Sequence, residues 1–256
     1  MNGCGQTGEA PRAAGTPAGH GLARPGLAAL AVAMLALAGC PGLQQAPSLP
    51  GAVPPGAGTT PAATGVIRYA LSGHESLLVV LAYRAGPLAA LGHDHLIATR
   101  ALTGFIDVAE PLIASAIELH LPVAEFTVDD PELRASHGHG LATVPPDAAR
   151  KGTRDNMLGP DVLDAARFPE IVVRSVSLHG GPQDFTAGLD LQVRGVHHRI
   201  EVPVQVTGPA AGQLQVRARF PLSQVAIGLV PFSVMMGALQ VGDQLAIEAD
   251  LVARRK

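Results

Sequence analysis

The chain has 256 residues and a formal net charge of -3, with charges of both signs scattered along it. Aromatic residues make up 3% of the chain and tryptophan is absent, so few side chains could stack on bases. There is also no basic stripe. This composition argues against a nucleic-acid-binding protein, and leaves Leu, Val, Ile and Ala to supply the apolar volume.

The first feature along the chain is the apolar run LAALAVAMLALA at residues 27–38, followed by Gly39 and Cys40. The run is too short to span a bilayer, which takes about 20 residues. It resembles a bacterial lipoprotein signal, with an ordinary secretory signal cut elsewhere as the alternative. We expect residues 1–39 to be removed and Cys40 to carry a lipid anchor. The protein would then lie in the cell envelope, facing the periplasm or the cell exterior.

Residues 40–64 are rich in Pro, Gly, Ala and Thr and have no periodic apolar pattern. Such a segment cannot bury enough surface to offset the entropy of ordering it, so we expect a flexible tether. Residues 65–256 are long enough for one domain with a single core. Because this domain contains no cysteine, it folds without disulfides.

Apolar residues alternate along most of the domain, which is typical of strands that are buried on one face. Strands are predicted at residues 105–108 and 171–178, in addition to seven whose apolar faces are clear from the alternation. Turns are predicted at Gly180-Gly181-Pro182, Gly208-Pro209 and Gly242-Asp243. The predicted apolar faces are Ile67, Tyr69 and Leu71; Leu77, Val79, Leu81 and Tyr83; Ile117, Leu119 and Leu121; Leu189, Leu191 and Val193; Ile200, Val202, Val204 and Val206; Leu214, Val216, Ala218, Phe220 and Leu222; and Leu245, Ile247, Ala249 and Leu251.

Eight or nine strands with one polar face each predict an antiparallel sheet. Closing such a sheet into a barrel removes its exposed edges. Residues 129–166 interrupt the alternation, and Asp147 and Asp161 are both suited to begin short helices there. The sequence therefore predicts a mostly β protein: an antiparallel barrel of about eight strands, with one or two short helices in an excursion that could cover one mouth.

Two blocks of the domain form a recognisable pattern. The first runs through Asp155-Asn156-Met157-Leu158, Val162-Leu163-Asp164 and Phe168-Pro169-Glu170-Ile171 to Ser175, and the second is GLDLQVRGV at residues 188–196. In this order, the two blocks resemble the YceI-like polyisoprenoid-binding family. The likeness covers about residues 66–252. The chain departs from the family pattern at Val162-Leu163, where an aromatic pair is usual, at His197-His198, and in an apparent insertion around residues 136–139.

The resemblance implies a lipocalin-like barrel that holds an isoprenoid lipid or a quinone, with no other cofactor. An eight-stranded barrel has room for one small ligand. The alternative is a ligand-free structural lipoprotein whose side chains fill the interior. The candidate ligand-binding residues are Leu119, Leu189, Leu191, Val202, Val204, Val216 and Phe220, together with His93 and His95.

His93 and His95 form the sharpest polar motif, because residues two apart share one face of a strand. They could coordinate a metal ion if a third ligand lay close to them, contact the polar head of a ligand, or have a purely structural role. His137 and His139 repeat the spacing in a glycine-rich loop, where we expect solvated side chains. No metal site is therefore assigned, and a metal-binding envelope protein stays as an alternative.

Signals for catalysis are poor. The domain has no G-x-S-x-G motif, no reactive cysteine and no phosphate-binding loop. Asp129, Asp130 and Glu132 could pair as carboxylates, but an Asp-Asp-Pro turn explains them better. We expect a protein that is not an enzyme.

Overall fold

The computed structural model describes residues 64–256, with the exception of residues 142 and 182. The predicted signal, Cys40 and nearly all of the predicted tether lie outside the described residues. Within them are twelve strands and two α-helices, with short 3-10 turns between. The strands are β1 (Thr64–Leu71), β2 (Leu77–Ala85), β3 (His95–Thr99), β4 (Thr103–Glu110), β5 (Ala116–Pro122), β6 (Thr127–Val128), β7 (Glu170–Gly180), β8 (Asp184–Val193), β9 (Val196–Ala210), β10 (Gln213–Ser223), β11 (Ser233–Val234) and β12 (Leu239–Arg255). The helices are α1 (Pro131–Ser136) and α2 (Asp147–Leu158).

Eight of the strands close into an antiparallel barrel in the order β1-β4-β5-β7-β8-β9-β10-β12, with β12 returning to β1. The prediction of an antiparallel barrel of about eight strands with one or two helices is confirmed. Closure leaves no free edge around the ring, which solves the problem that an open sheet of alternating strands would face.

The last strand, β12, is long enough to pair with two different strands, β1 and β2, along the same edge. Its end pairs with β1, from Tyr69 with Arg255 to Leu71 with Ala253. Its earlier part pairs with β2, which continues the sheet through β3 to β6. The strands β3, β6 and β11 were not predicted, because they are short and their alternation is weak.

Two predicted turns are wrong. Gly208-Pro209 lies inside β9, where the pairing with β10 shifts register, and Gly242-Asp243 lies inside β12, where the pairing with β2 shifts. Such register shifts kink a strand without ending it, and glycine suits them because it adopts unusual backbone angles. Gly208 has a φ of 111°, a conformation that side-chain-bearing residues rarely adopt.

The excursion between β6 and β7 contains both helices. Asp130 begins α1, and its carboxylate accepts hydrogen bonds from the backbone N–H groups of Glu132 and Leu133, each at 3.0 Å. Asp147 begins α2 as predicted, whereas Asp161 begins no helix and lies in a series of turns. Across the described residues, no helix is both long and apolar enough to cross a membrane.

The strand β2 has two apolar faces, so the expectation of a polar outer face is wrong here. Leu78, Val80 and Ala82 face the barrel interior. Val79 on the other face belongs to a second small core, which also contains the buried residues Leu96, Ala98 and Leu141 and is flanked by Leu77, Leu81 and Leu133. The excursion thus covers the outside of β2, which explains its continuous apolar sequence.

Candidate functional site

The interior of the barrel is hollow. A cavity of about 710 Å³ runs between the strands and is lined mainly by Leu, Val, Ile and Ala side chains. This volume lies within the range of about 300–1,000 Å³ that is typical of small-molecule sites. Along most strands other than β2, the lining side chains alternate with outward polar ones, so the strand period creates most of the apolar wall.

All of the predicted ligand-binding residues line this cavity. Leu119 lies on β5, Leu189 and Leu191 on β8, Val202 and Val204 on β9, and Val216 and Phe220 on β10; His93 and His95 line it as well. The structure therefore brings together residues that lie more than a hundred positions apart in the sequence. Whether they bind a ligand stays a prediction.

Several lining residues were missed by the sequence reasoning. Leu78 and Val80 of β2 belong to them, since its alternation was assigned to the opposite face. Thr153, Asn156 and Met157 of α2 also reach the cavity. The helical excursion therefore helps to cover one mouth of the barrel, as the sequence suggested that it could.

Polar lining residues gather at one end of the cavity. This end, which we call the α2 end, contains the last residues of β2 and β10 and the first residues of β9 and β12. The opposite end contains Ser115, Gln183 and Pro209. The polar residues of the α2 end are Tyr83, Arg84, His93, His95, Thr153, Asn156, Gln224 and Gln240. The cavity is thus apolar along its length and polar at one mouth.

A buried polar array supports this mouth from behind. His95 Nδ1 lies 2.6 Å from Asp129 Oδ2, and Asp129 Oδ1 accepts a hydrogen bond from the Leu96 N–H at 2.8 Å. Arg134 donates to the same carboxylate from a position that is 1% exposed. Asp129 and Arg134 therefore form a fully buried ion pair, with His95 between that pair and the cavity.

The guanidinium of Arg134 is held by the excursion as well as by Asp129. It donates to the backbone carbonyl oxygens of Leu141 at 3.0 Å, Asp94 at 2.8 Å and Thr143 at 2.7 Å. These carbonyl oxygens and Asp129 give the buried guanidinium hydrogen-bond partners in place of water. Neither Asp129 nor Arg134 was assigned a site role, because the contact that brings Asp129 to His95 spans 34 positions of the sequence.

The carboxylate of Asp129 is ionised in this setting. Burial is the largest influence on its pKa and acts to raise it. The hydrogen bonds from His95 and the Leu96 N–H, with the positive charge of Arg134, outweigh burial and lower the pKa below its ordinary value. An ionised carboxylate can only accept hydrogen bonds, so His95 Nδ1 is the donor.

His93 and Arg84 complete the mouth on its solvent side. The rings of His93 and His95 meet edge to face, with their centroids 5.4 Å apart. Arg84 Nη1 donates to the Gly92 carbonyl oxygen at 2.7 Å, and the Arg84 N–H donates to Asp94 Oδ1 at 2.9 Å. The segment that carries His93 is therefore bonded to Arg84 of β2 through the residues on both sides of His93.

Among the described residues, no third metal ligand joins His93 and His95. In the described part of the chain, no group of three or more His, Cys, Asp and Glu side chains comes together as a metal site would require. His137 Nδ1 lies 2.7 Å from the Leu133 carbonyl oxygen, and the side chain of His139 lies outside the described residues. Metal binding by His93 and His95 stays an untested alternative.

An eight-stranded antiparallel barrel around an apolar cavity defines a lipocalin-like β-barrel. The sequence identifies the family within this class. The model of the YceI-like domain family matches residues 94–253, which is more than half of the chain, so the chain belongs to that family. No curated protein is significantly similar to it.

One solved structure shows the same fold at low sequence identity, and two others are similar at lower TM-scores. Burkholderia cenocepacia BcnA is 16% identical, with a TM-score of 0.54 over 72% of this chain and 99% of its own. A polyisoprenoid binding domain from Saccharophagus degradans, implicated in plant cell wall breakdown, is 13% identical, with a TM-score of 0.49 over 74% and 99%. The Campylobacter jejuni YCEI protein is 12% identical, with a TM-score of 0.43 over 60% and 81%.

Proposed function

We propose that this protein is a non-catalytic binding protein that stores or carries an isoprenoid-type lipid in its barrel. The observation that carries the proposal is the cavity of about 710 Å³, whose walls are aliphatic along their length and polar at the α2 end. A molecule with one long apolar chain and a small polar head matches that distribution. The family resemblance of residues 155–175 and 188–196, which implied such a ligand, supports the same conclusion.

The energetics of the cavity favour a lipid. Burying about 300 Å² of a prenyl chain would supply roughly 7 kcal/mol before the costs of association. The walls are built before the ligand arrives, because the strands are joined by a closed hydrogen-bond network. Little of that gain is then spent on ordering the protein.

The proposal includes an anchor outside the barrel. Cys40 follows an apolar run and small residues, as a lipoprotein signal requires, and residues 41–63 would link the lipid to the first strand. A single acyl chain holds a protein to a membrane only marginally, whereas several hold it firmly. We propose an envelope lipoprotein whose barrel stays close to the membrane that supplies its lipid.

Two substitutions on one strand test whether the cavity binds the lipid. Ala218 of β10 lines the cavity and is 8% exposed, so Ala218→Trp would fill it. Arg219 is the next residue, and its side chain is 82% exposed on the outer face, so Arg219→Trp adds the same ring outside. Affinity for geranylgeraniol or a quinone is measured by calorimetry, with thermal unfolding as a check that both variants fold.

We expect Ala218→Trp to weaken binding by at least about tenfold, which corresponds to 1.4 kcal/mol, and Arg219→Trp to leave it unchanged. Equal binding by both variants would place the lipid elsewhere and contradict the proposal. If the unchanged chain binds neither probe, a ligand-free structural lipoprotein becomes the better account. Binding of Zn²⁺ or Cu²⁺ that is lost in the double variant His93→Ala, His95→Ala would favour the metal-binding alternative.

A further inference from the structure

The position of His95 suggests what kind of head group the cavity takes. This inference rests on the proposed function, because it concerns the polar end of the same cavity. His95 lines the cavity while its Nδ1 atom is directed at Asp129, which is fully buried. The two nitrogens of an imidazole point in nearly opposite directions, so Nε2 lies on the side away from Asp129.

The hydrogen bond to Asp129 decides which nitrogen carries the proton. The ionised carboxylate of Asp129 has no proton to give, so Nδ1 donates to it, and in the neutral form of the ring the unshared electron pair is on Nε2. None of the described residues forms a hydrogen bond with Nε2. The mouth of an apolar cavity thus presents a hydrogen-bond acceptor that nothing in the described protein uses.

The hydrogen bonds that fix Asp129 also hold the ring of His95 in this orientation. Arg134 and the Leu96 N–H both donate to Oδ1 of Asp129, which leaves Oδ2 for His95. The Asp129 N–H in turn donates to the Leu96 carbonyl oxygen at 2.7 Å, which fixes Asp129 against β3. A buried charge pair with this many bonds costs a great deal to rearrange, so the ring keeps one orientation.

The distribution of polar lining residues sets the direction of the ligand. The α2 end carries eight polar side chains, whereas the opposite end carries Ser115 and Gln183. Burying a polar head in the aliphatic middle would leave it without hydrogen bonds, at a cost of several times RT. The head therefore lies at the α2 end and the chain extends toward Pro209.

We infer that His95, oriented by Asp129 and Arg134, accepts a hydrogen bond from the ligand's head group, so the cavity selects prenyl lipids whose head is a hydrogen-bond donor, such as an alcohol, phenol or quinol. His95 is then a specificity-determining residue, and Asp129 and Arg134 are positioning residues that do not touch the ligand. A lipid of the same length whose head only accepts hydrogen bonds would leave Nε2 unpaired and bind less tightly.

A pair of probes that differ only in the donor tests this inference. Geranylgeraniol carries a hydroxyl, and its methyl ether carries the same chain without a donor. We expect the full, unsubstituted chain to bind the alcohol on the order of tenfold more tightly than the ether, since one hydrogen bond and one unsatisfied acceptor separate them. Equal affinities for the two probes would overturn the inference without any variant being made.

Variants then locate the preference. His95→Phe is expected to lose the preference for the alcohol while still binding the prenyl chain. The matched control is His197→Phe, because His197 Nδ1 also meets a carboxylate, Asp190, at 3.1 Å, but on the exposed outer face. A preference that persists in His95→Phe, or that disappears in His197→Phe, would contradict the assignment.

A spectroscopic measurement does not depend on the folding of any variant. The nitrogen NMR shift of His95 Nε2 is expected to be that of an unprotonated ring nitrogen, and to move when the alcohol is added but not when the ether is added. An Nε2 that is protonated at neutral pH overturns the inference. If both probes bind equally and Ala218→Trp abolishes both, the proposed function stands and this inference fails; if neither binds, both fail.

Discussion

Phe168 packs against Gly195, which joins the two sequence blocks on which the family resemblance depends. A Cβ atom at Gly195 would lie 3.0 Å from the ring of Phe168. Arg194 and Gly195 form the two-residue turn between β8 and β9, with φ angles of 50° and 75°. Positive φ at both central residues is the geometry of a type I′ hairpin, which matches the twist of the strands.

We therefore expect Gly195→Ala to destabilise the domain by about 1–2 kcal/mol, because alanine disfavours a positive φ and its methyl group would crowd Phe168. The measurement is the free energy of unfolding in urea. Gly152→Ala is the control, since Gly152 lies inside α2 with nothing within 4 Å of its added methyl group. It is expected to stabilise by about 0.5–1 kcal/mol; the same sign for both substitutions would contradict this account.

The buried ion pair predicts a large loss of stability when one partner is removed. Arg134→Met leaves the Asp129 carboxylate, which is 0% exposed, without its cation. Breaking such a pair costs about 3–5 kcal/mol, because an uncompensated charge stays buried. Chemical denaturation of the variant measures this cost.

Two further variants separate the charge effect from packing. Lys151→Met removes an exposed cation that pairs with Asp155 one helical turn away, and is expected to cost about 0.5 kcal/mol or less. The double variant Arg134→Met, Asp129→Leu removes both buried charges and should recover part of the loss. A double variant that is no more stable than Arg134→Met would argue against the ion-pair explanation.

The stability of the domain at acid pH depends on Glu75. Arg254 donates to its carboxylate, with Nε 2.7 Å from Oε2, and with Ser72 it lowers the pKa of Glu75 from 4.5 to about 2. A lowered pKa stabilises the folded state fully above pH 4.5, and this contribution is lost as the pH falls toward 2. The pair connects the turn before β2 to the end of β12.

Glu75→Gln removes this dependence. The melting temperature of the variant should lie below that of the unchanged chain at neutral pH, and the difference should shrink to nothing as the pH falls through the window. Arg254→Gln removes the other partner of the ion pair with Glu75, and should show the same pH-dependent difference in melting temperature. A difference that grows on acidification would have the wrong sign for a carboxylate with a lowered pKa.

Period-two alternation predicted the barrel because the outer faces of most strands meet solvent. On β5, for example, Leu119 faces the cavity while Glu118 and His120 form an outer ion pair at 2.8 Å. The same rule failed on β2, whose outer face is covered by Leu141 and Leu133 of the excursion. A strand with two buried faces carries no alternation from which its interior face could be read.

The candidate site was predictable in its walls and not in its polar support. Leu191 and Val202 were identified because inward positions on neighbouring strands meet at the barrel axis. Asp129 reads in the sequence as part of a turn, and indeed Asp130 caps α1. Only the pairing of β3 with β6, which is set by long-range packing, brings Asp129 to His95.

Lipid binding is tested first by the mass of the full chain, purified in mild detergent from bacteria that express it. Native mass spectrometry should show one noncovalent lipid for each chain, and denaturation should release it as a molecule with a long prenyl chain and a hydrogen-bond-donating head. The denatured chain should begin at Cys40 and keep its covalent acyl groups. A chain that is bare in the native spectrum, and stays bare after incubation with geranylgeraniol or a quinone, would contradict the proposal that the barrel binds an isoprenoid-type lipid.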